Sequence, residues 1–218
     1  MQTYQSEFLR LALEHEVLKF GSFTLKSGRR SPYFFNLGRI SSGAAMRALG
    51  HAYAQALAAS GLEYDMLFGP AYKGIPLVTA VSCALAEQGA DVAYAYNRKE
   101  AKDHGEGGTL VGAAPKGRVV IVDDVLTAGT ALREAVRLLQ QAGAQPVAAV
   151  IALDRQEQGS SGGPSGLSAV QEMERDAGIR VVSLVNVQTM LSYLSGGHAP
   201  ADTLAAIRAY QAEYGVAG

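Results

Sequence analysis

From residue 64 to residue 186 short apolar runs, several ending in polar or glycine-rich breaks, alternate with amphipathic stretches, though no internal sequence repeat is evident. The runs are Met66–Phe68, Val92–Tyr96, Arg118–Asp123, Val147–Leu153 and Ile179–Val185. Apolar runs this short suit strands buried on both faces. After the third run, Leu132, Ala135, Val136 and Leu139 fall on one helical face at i, i+3, i+4 and i+7. Strand–helix alternation of this kind predicts an α/β fold, an open and mostly parallel sheet flanked by helices. Right-handed crossovers then leave few topologies.

The ends differ from that middle. Phe8, Leu9, Leu11, Ala12 and Leu13 predict an opening helix. Phe20–Asn36, with its turn-rich centre Lys26-Ser-Gly-Arg29, predicts a hairpin. An alanine-rich helix is expected from about Ser42 to Ser60, stopped by Gly61, and further helices follow the last strand. The organisation expected is a single domain over 1–218. It comprises N-terminal elements at about 1–40, a sheet core at about 64–186 and C-terminal helices at about 187–218.

Composition narrows the class. Hydrophobic residues are 48% and charged residues 18% of 218, which predicts a packed globule and not a disordered chain. Nineteen Lys+Arg against twenty Asp+Glu argue against a broadly basic nucleic-acid binder. The single cysteine, Cys83, excludes an internal disulfide and a CxxC site; its apolar neighbours predict a small core residue. Met1–Glu7 lacks the basic start and apolar run of a signal peptide, and no apolar segment has membrane-spanning length. A soluble cytoplasmic protein without membrane association is expected. His15, His51 and His198 are read as structural or exposed.

In an open parallel sheet, ligands sit beyond the carboxyl ends of the strands. Polar clusters follow four of the runs: Gly69-Pro-Ala-Tyr-Lys-Gly74, Asn97-Arg-Lys-Glu-Ala-Lys-Asp-His104, Asp123–Thr130 and Asp154-Arg155. The third carries the most chemistry. A buried strand delivers Asp123 and Asp124, and a Thr/Gly turn then opens a helix. Backbone N–H groups at such a helix start lack internal partners and favour an anion. Thr127 and Thr130 add hydroxyls, and Gly129 permits close approach. An ordinary capped helix beside a solvated acidic pair is the plainer alternative. Familiar nucleotide motifs are absent: Ile75 stands where a P-loop needs lysine, no GxGxxG opens a helix, and Lys19 replaces the second histidine of a zinc-protease helix.

Val119-Val-Ile-Val-Asp-Asp-Val-Leu-Thr-Ala-Gly-Thr-Ala131 resembles the phosphoribosyl pyrophosphate (PRPP) motif of type I phosphoribosyltransferases. Further segments are similar to the bacterial orotate phosphoribosyltransferase family: Leu25–Arg29 with Tyr33–Asn36, Ala71–Gly74, Asn97–Gly105 and Asp154–Gln156. They cover most of the chain in order. The Gly/Ser-rich stretch Gly159–Gly166 is longer than the family pattern.

The resemblance implies the type I phosphoribosyltransferase fold, with the helix and hairpin at the amino end forming a small hood. It implies Mg2+-dependent transfer of ribose 5-phosphate from PRPP to orotate, giving orotidine 5'-monophosphate and diphosphate in pyrimidine biosynthesis. Catalytic roles would fall to Lys99, Lys102, His104, Asp123 and Asp124. PRPP would be held by Tyr72, Lys73, Arg98, Lys99, Lys102, His104, Asp123 and Asp124, and by Val125, Leu126, Thr127, Ala128, Gly129, Thr130 and Ala131. Orotate would meet Lys26, Phe34, Phe35, Thr127 and Arg155. Strand alternation keeps Phe34 and Phe35 side chains from facing one ligand together. The metal would be bound mainly through PRPP and water, near Asp123 and Asp124. A homodimer is implied, the loop 97–108 closing as a lid over the partner's site. Transfer to another base, or a catalytically silent PRPP-sensing regulator that binds nucleic acid, are the alternatives.

Overall fold

A computed structural model describes residues 1–25, 27–102, 108–126, 129–159 and 166–216. Helix α1 (Thr3–Glu14) leads into an antiparallel hairpin of β1 (Leu18–Thr24) and β2 (Arg30–Phe35). Helix α2 (Gly43–Ser60) starts where the Ser42 side chain accepts the Ala45 N–H. It ends at Gly61 in the left-handed conformation, as the sequence predicts.

The core alternates as expected except for the added strand β5: β3 (Met66–Gly69), α3 (Gly74–Glu87), β4 (Ala93–Lys102), β5 (Gly108–Gly112), β6 (Arg118–Val122) and α4 (Thr130–Gln141). It continues with β7 (Gln145–Asp154), α5 (Ala169–Ala177) and β8 (Arg180–Asn186), then α6 (Val187–Tyr193) and α7 (Ala201–Tyr214). The six strands are ordered β5-β4-β3-β6-β7-β8, and all neighbours are parallel except β4 and β5.

Alternation along β6 divides the interior. Val120 and Val122 join the core under α2 and α3, whereas Val119 and Ile121 join the core under α4 and α5. Both faces of the strand are thus covered, which accounts for its uninterrupted apolar run.

Three expectations need correction. The segment 97–108, expected to be a loop, is strand at both ends. The β4 strand pairs with β3 as far as Tyr96 and then continues as an antiparallel arm with β5. Its charged residues lack apolar alternation because the arm leaves the sheet, so the period-two signal vanishes. The short run Gly108–Gly112 was not anticipated as a strand because only three residues separate its two glycines. Cys83 is exposed. The buried stripe of α3 runs through Gly74, Leu77, Val78, Val81, Ala84 and Leu85, and Cys83 falls off it.

Candidate active site

The parallel register sets three strand ends side by side: Gly69 of β3 opposite Tyr96 of β4, and Phe68 opposite Ile121 of β6. The turn after β3 folds tightly, with the Gly74 N–H donating to the Pro70 carbonyl at 3.0 Å. A Cβ on Gly74 would lie 2.6 Å from Pro70 Cδ and 2.9 Å from the Val122 carbonyl oxygen. Glycine is therefore what lets this turn rest against the end of β6.

That approach brings two charges together. Lys73 Nζ donates to Asp124 Oδ2 at 2.5 Å, linking the turn to the acidic pair. Asp124 is 7% exposed, whereas Tyr72 beside Lys73 is 68% exposed. The Asp123 and Asp124 carboxylates also each accept the following backbone N–H, at 2.9 and 2.8 Å. Behind them the buried Tyr53 hydroxyl, carried by α2, donates to the Asp123 carbonyl at 2.8 Å. Burial, reinforced by the Asp124 charge, pushes the Asp123 carboxyl up to about 7.

The charged arm meets the same turn. Asn97 Oδ1 accepts the Ala71 N–H at 2.9 Å, and Lys99 Nζ lies 5.1 Å from the Tyr72 ring centroid. A hollow of about 520 Å³ opens between the arm and α4, with Ala71, Arg98, Lys99, Ala131 and Arg137 in its walls. Gly129, at φ 70°, caps the start of α4, and Thr130 and Ala131 are exposed in its first turn. The half-buried Val125 bridges to Leu153 of β7, and half-buried Leu126 packs on the α4–α5 core.

A second group gathers at the end of β7. Arg155 donates to Glu157 Oε1 at 2.7 Å and to Ser31 Oγ at 3.2 Å, tying the hairpin to the strand end. Its guanidinium lies 4.6 Å from the centroid of the Tyr33 ring. Phe35 is buried against Phe8, whereas Phe34 is 40% exposed and stacked on Phe23. The alternation expected of the pair holds.

The fold thus brings together Tyr72, Lys73, Lys99, Asp123 and Asp124 at one edge, with Arg98 and the start of α4 beside them. Arg155 and β2 form the adjoining group. Lys26, His104, Thr127 and Ala128 lie outside the described residues, and Lys102 is described as the last backbone position of β4. Sequence reasoning missed Tyr53, Asn97 and Glu157. Tyr53 and Glu157 sit in no chemical motif, and Asn97, though it opens the charged segment, holds a backbone N–H far along the chain that the segment does not announce.

Among the described residues no group of three or more His, Cys, Asp or Glu could hold a metal ion. The Asp123–Asp124 pair with Lys73 adjoining suits a divalent cation that keeps most of its ligands from substrate oxygens and water. Likewise, no helix among these residues is long and apolar enough to cross a membrane.

A parallel sheet carrying an acidic pair, a helix start and a lysine turn at one edge defines a phosphoribosyltransferase-type site. Residues 39–161 match the model of the phosphoribosyl transferase domain. The chain is 54% identical over 217 residues to an orotate phosphoribosyltransferase of Cellvibrio japonicus, spanning 99% of each. It is 53% identical to that of Salmonella newport, over 99% of this chain and all of the relative. The crystal structure of orotate phosphoribosyltransferase from Francisella tularensis superposes with a TM-score of 0.85. That structure is 40% identical, over 95% of this chain and 98% of the other. The chain belongs to the orotate phosphoribosyltransferase family.

Proposed function

We propose that this chain transfers ribose 5-phosphate from PRPP to orotate, giving orotidine 5'-monophosphate and diphosphate. The observation that carries the reading is the Lys73–Asp124 contact, which sets the cationic turn against the acidic pair at the sheet edge. Breaking the bond from ribose C1 to diphosphate leaves positive charge on the sugar and negative charge on the departing group. Each side of that separation then has a partner in the site.

Asp123 and Asp124 accept hydrogen bonds from the ribose hydroxyls and face the developing sugar cation. The turn 127–131, with N–H groups of the α4 start and the Thr127 and Thr130 hydroxyls, holds the 5'-phosphate. Tyr72 and Lys73 take the diphosphate, and Arg98, Lys99, Lys102 and His104 neutralise it as it leaves. Asp123 and Asp124 would be the protein neighbours of Mg2+, which would supply further neutralisation of the departing charge. Orotate is a flat carboxylated ring. Arg155 offers it a planar cationic fork, Lys26 a second charge, and the Phe34–Phe35 strand and Thr127 complete the base site. The ring nitrogen of orotate bonds to C1 as the bond from C1 to the diphosphate oxygen breaks, and the proton of that nitrogen passes to the departing diphosphate or to water.

A homodimer in which the arm around residues 97–108 covers the partner's site would exclude water from the sugar cation. The chain works as one domain, the hood at 1–40 and helices at 187–218 framing the base site. A cytoplasmic location fits the substrates.

The decisive experiment incubates the purified protein with PRPP, Mg2+ and a panel of free bases. Consumption of orotate with release of diphosphate is expected. Consumption of another base in its place would reassign the substrate. PRPP binding with no base consumed would favour a sensor.

A further inference from the structure

We infer that Glu157 is the positioning residue that presents Arg155 to the base, an inference that rests on Arg155 being an orotate ligand. Glu157 lies two residues beyond Arg155, just after β7, and its carboxylate gathers three donors from three elements. Oε1 accepts from Arg155 Nε at 2.7 Å and from the Tyr33 hydroxyl of β2 at 3.2 Å. Oε2 accepts from the Tyr210 hydroxyl of α7 at 3.1 Å. The pair is well covered, with side-chain exposures of 19% for Arg155 and 10% for Glu157.

Guanidinium geometry makes the contact directional. Nε and Nη2 share one edge of the planar group, and that edge is taken by Glu157 and by Ser31 Oγ at 3.2 Å. Among the described residues Nη1 makes no hydrogen bond. The end of the fork, Nη1 with the second proton of Nη2, is therefore what remains for a ligand carboxylate or carbonyl. The Tyr33 ring beneath the guanidinium and the Gln211 side chain donating to the Arg155 carbonyl at 3.1 Å fix the remaining directions.

Electrostatics gives the carboxylate a second task. A half-buried cation without a partner is costly, and it would swing toward water while no base is bound. Glu157 keeps the charge in place in the empty site, so less order has to be imposed when orotate arrives. Burial, and then the Glu157 charge, push the Tyr210 phenol up to about 12, so it stays protonated and remains a donor near neutrality.

The test measures KM for each substrate, and kcat, in Glu157→Gln, Tyr210→Phe and Arg155→Ala. Glu157→Gln keeps the volume but removes the charge and one acceptor. It should raise the orotate KM about tenfold, the lower end of what a hydrogen bond to a charged group is worth. The PRPP KM should stay within about twofold. Tyr210→Phe should raise the orotate KM by about threefold, also selectively. In an Arg155→Ala background, Glu157→Gln should have no further effect on the orotate KM.

If Arg155→Ala raises the orotate KM and Glu157→Gln does not, positioning by Glu157 is refuted while the base site stands. If Arg155→Ala itself leaves the orotate KM unchanged, the base-site reading fails and takes the inference with it. Should Glu157→Gln not fold, Tyr210→Phe decides. A selective rise in orotate KM supports positioning, and a parallel change for both substrates makes Glu157 a brace and overturns it.

Discussion

Asp123 is where burial and chemistry pull against each other. Its carboxyl is raised to about 7, first by burial and then by the neighbouring Asp124 charge. In the unfolded chain the same group titrates near 3.9. A raised folded value means that Asp123's contribution to stability is fully present below about pH 4 and is lost as the pH rises through about 7. Asp123→Asn, which removes the charge and keeps the shape, should therefore raise the thermal midpoint at pH 8. That gain should shrink toward pH 5 in calorimetry, while turnover with PRPP falls at every pH. The acidic pair and Lys73 were legible in the sequence because a buried strand that ends in charge has few bland explanations. Tyr53 was not, since a tyrosine in an alanine-rich helix carries no mark of the backbone carbonyl it reaches seventy positions away.

Helix α4 shows how far pattern alone reaches at the level of the element. Leu132, Ala135, Val136 and Leu139 are its buried face, as the sequence predicts. Leu139→Ala should cost about 2–5 kcal/mol in denaturant unfolding, because Leu139 is fully buried and its removal leaves a cavity. The β4–β5 arm was illegible for the opposite reason. Beyond Tyr96 the β4 strand no longer pairs with β3, so charge replaces the apolar period that would announce it, and β5 is a short run between glycines. Asn97 stands where the arm departs and holds the Ala71 N–H of the lysine turn. Asn97→Ala should loosen that turn and raise the PRPP KM by about three- to tenfold, with the orotate KM nearly unchanged in steady-state kinetics.

In the molecule as a whole, the hairpin closes onto the sheet edge through side chains that no local pattern connects. Arg29 donates to the Gln158 carbonyl at 3.0 Å, Arg155 to Ser31, and the Tyr33 and Tyr210 rings meet edge-on with centroids 6.4 Å apart. The alternation of runs announced a mostly parallel sheet, but the strand order and this closure required the folded chain. If the cationic arm serves the neighbouring subunit, mixing Lys102→Ala protein with an Asp123→Asn/Asp124→Asn double variant should restore activity once subunits exchange. No recovery after demonstrated exchange would confine each site to one chain. Lys102→Ala by itself should lower kcat about 10²–10³-fold without changing the circular dichroism spectrum. The alternation that sends Val120 and Val122 under α2 and α3, and Val119 and Ile121 under α4 and α5, has a consequence for descent. Deleting or inserting one residue in β6 would trade the two interiors and, with them, the sides to which the adjacent aspartates are dealt. A one-residue change of length in this strand can be borne only where a bulge absorbs it, as the extra residue between Pro146 and Ala148 does on β7, so the reactive edge inherits its handedness from the packing beneath it.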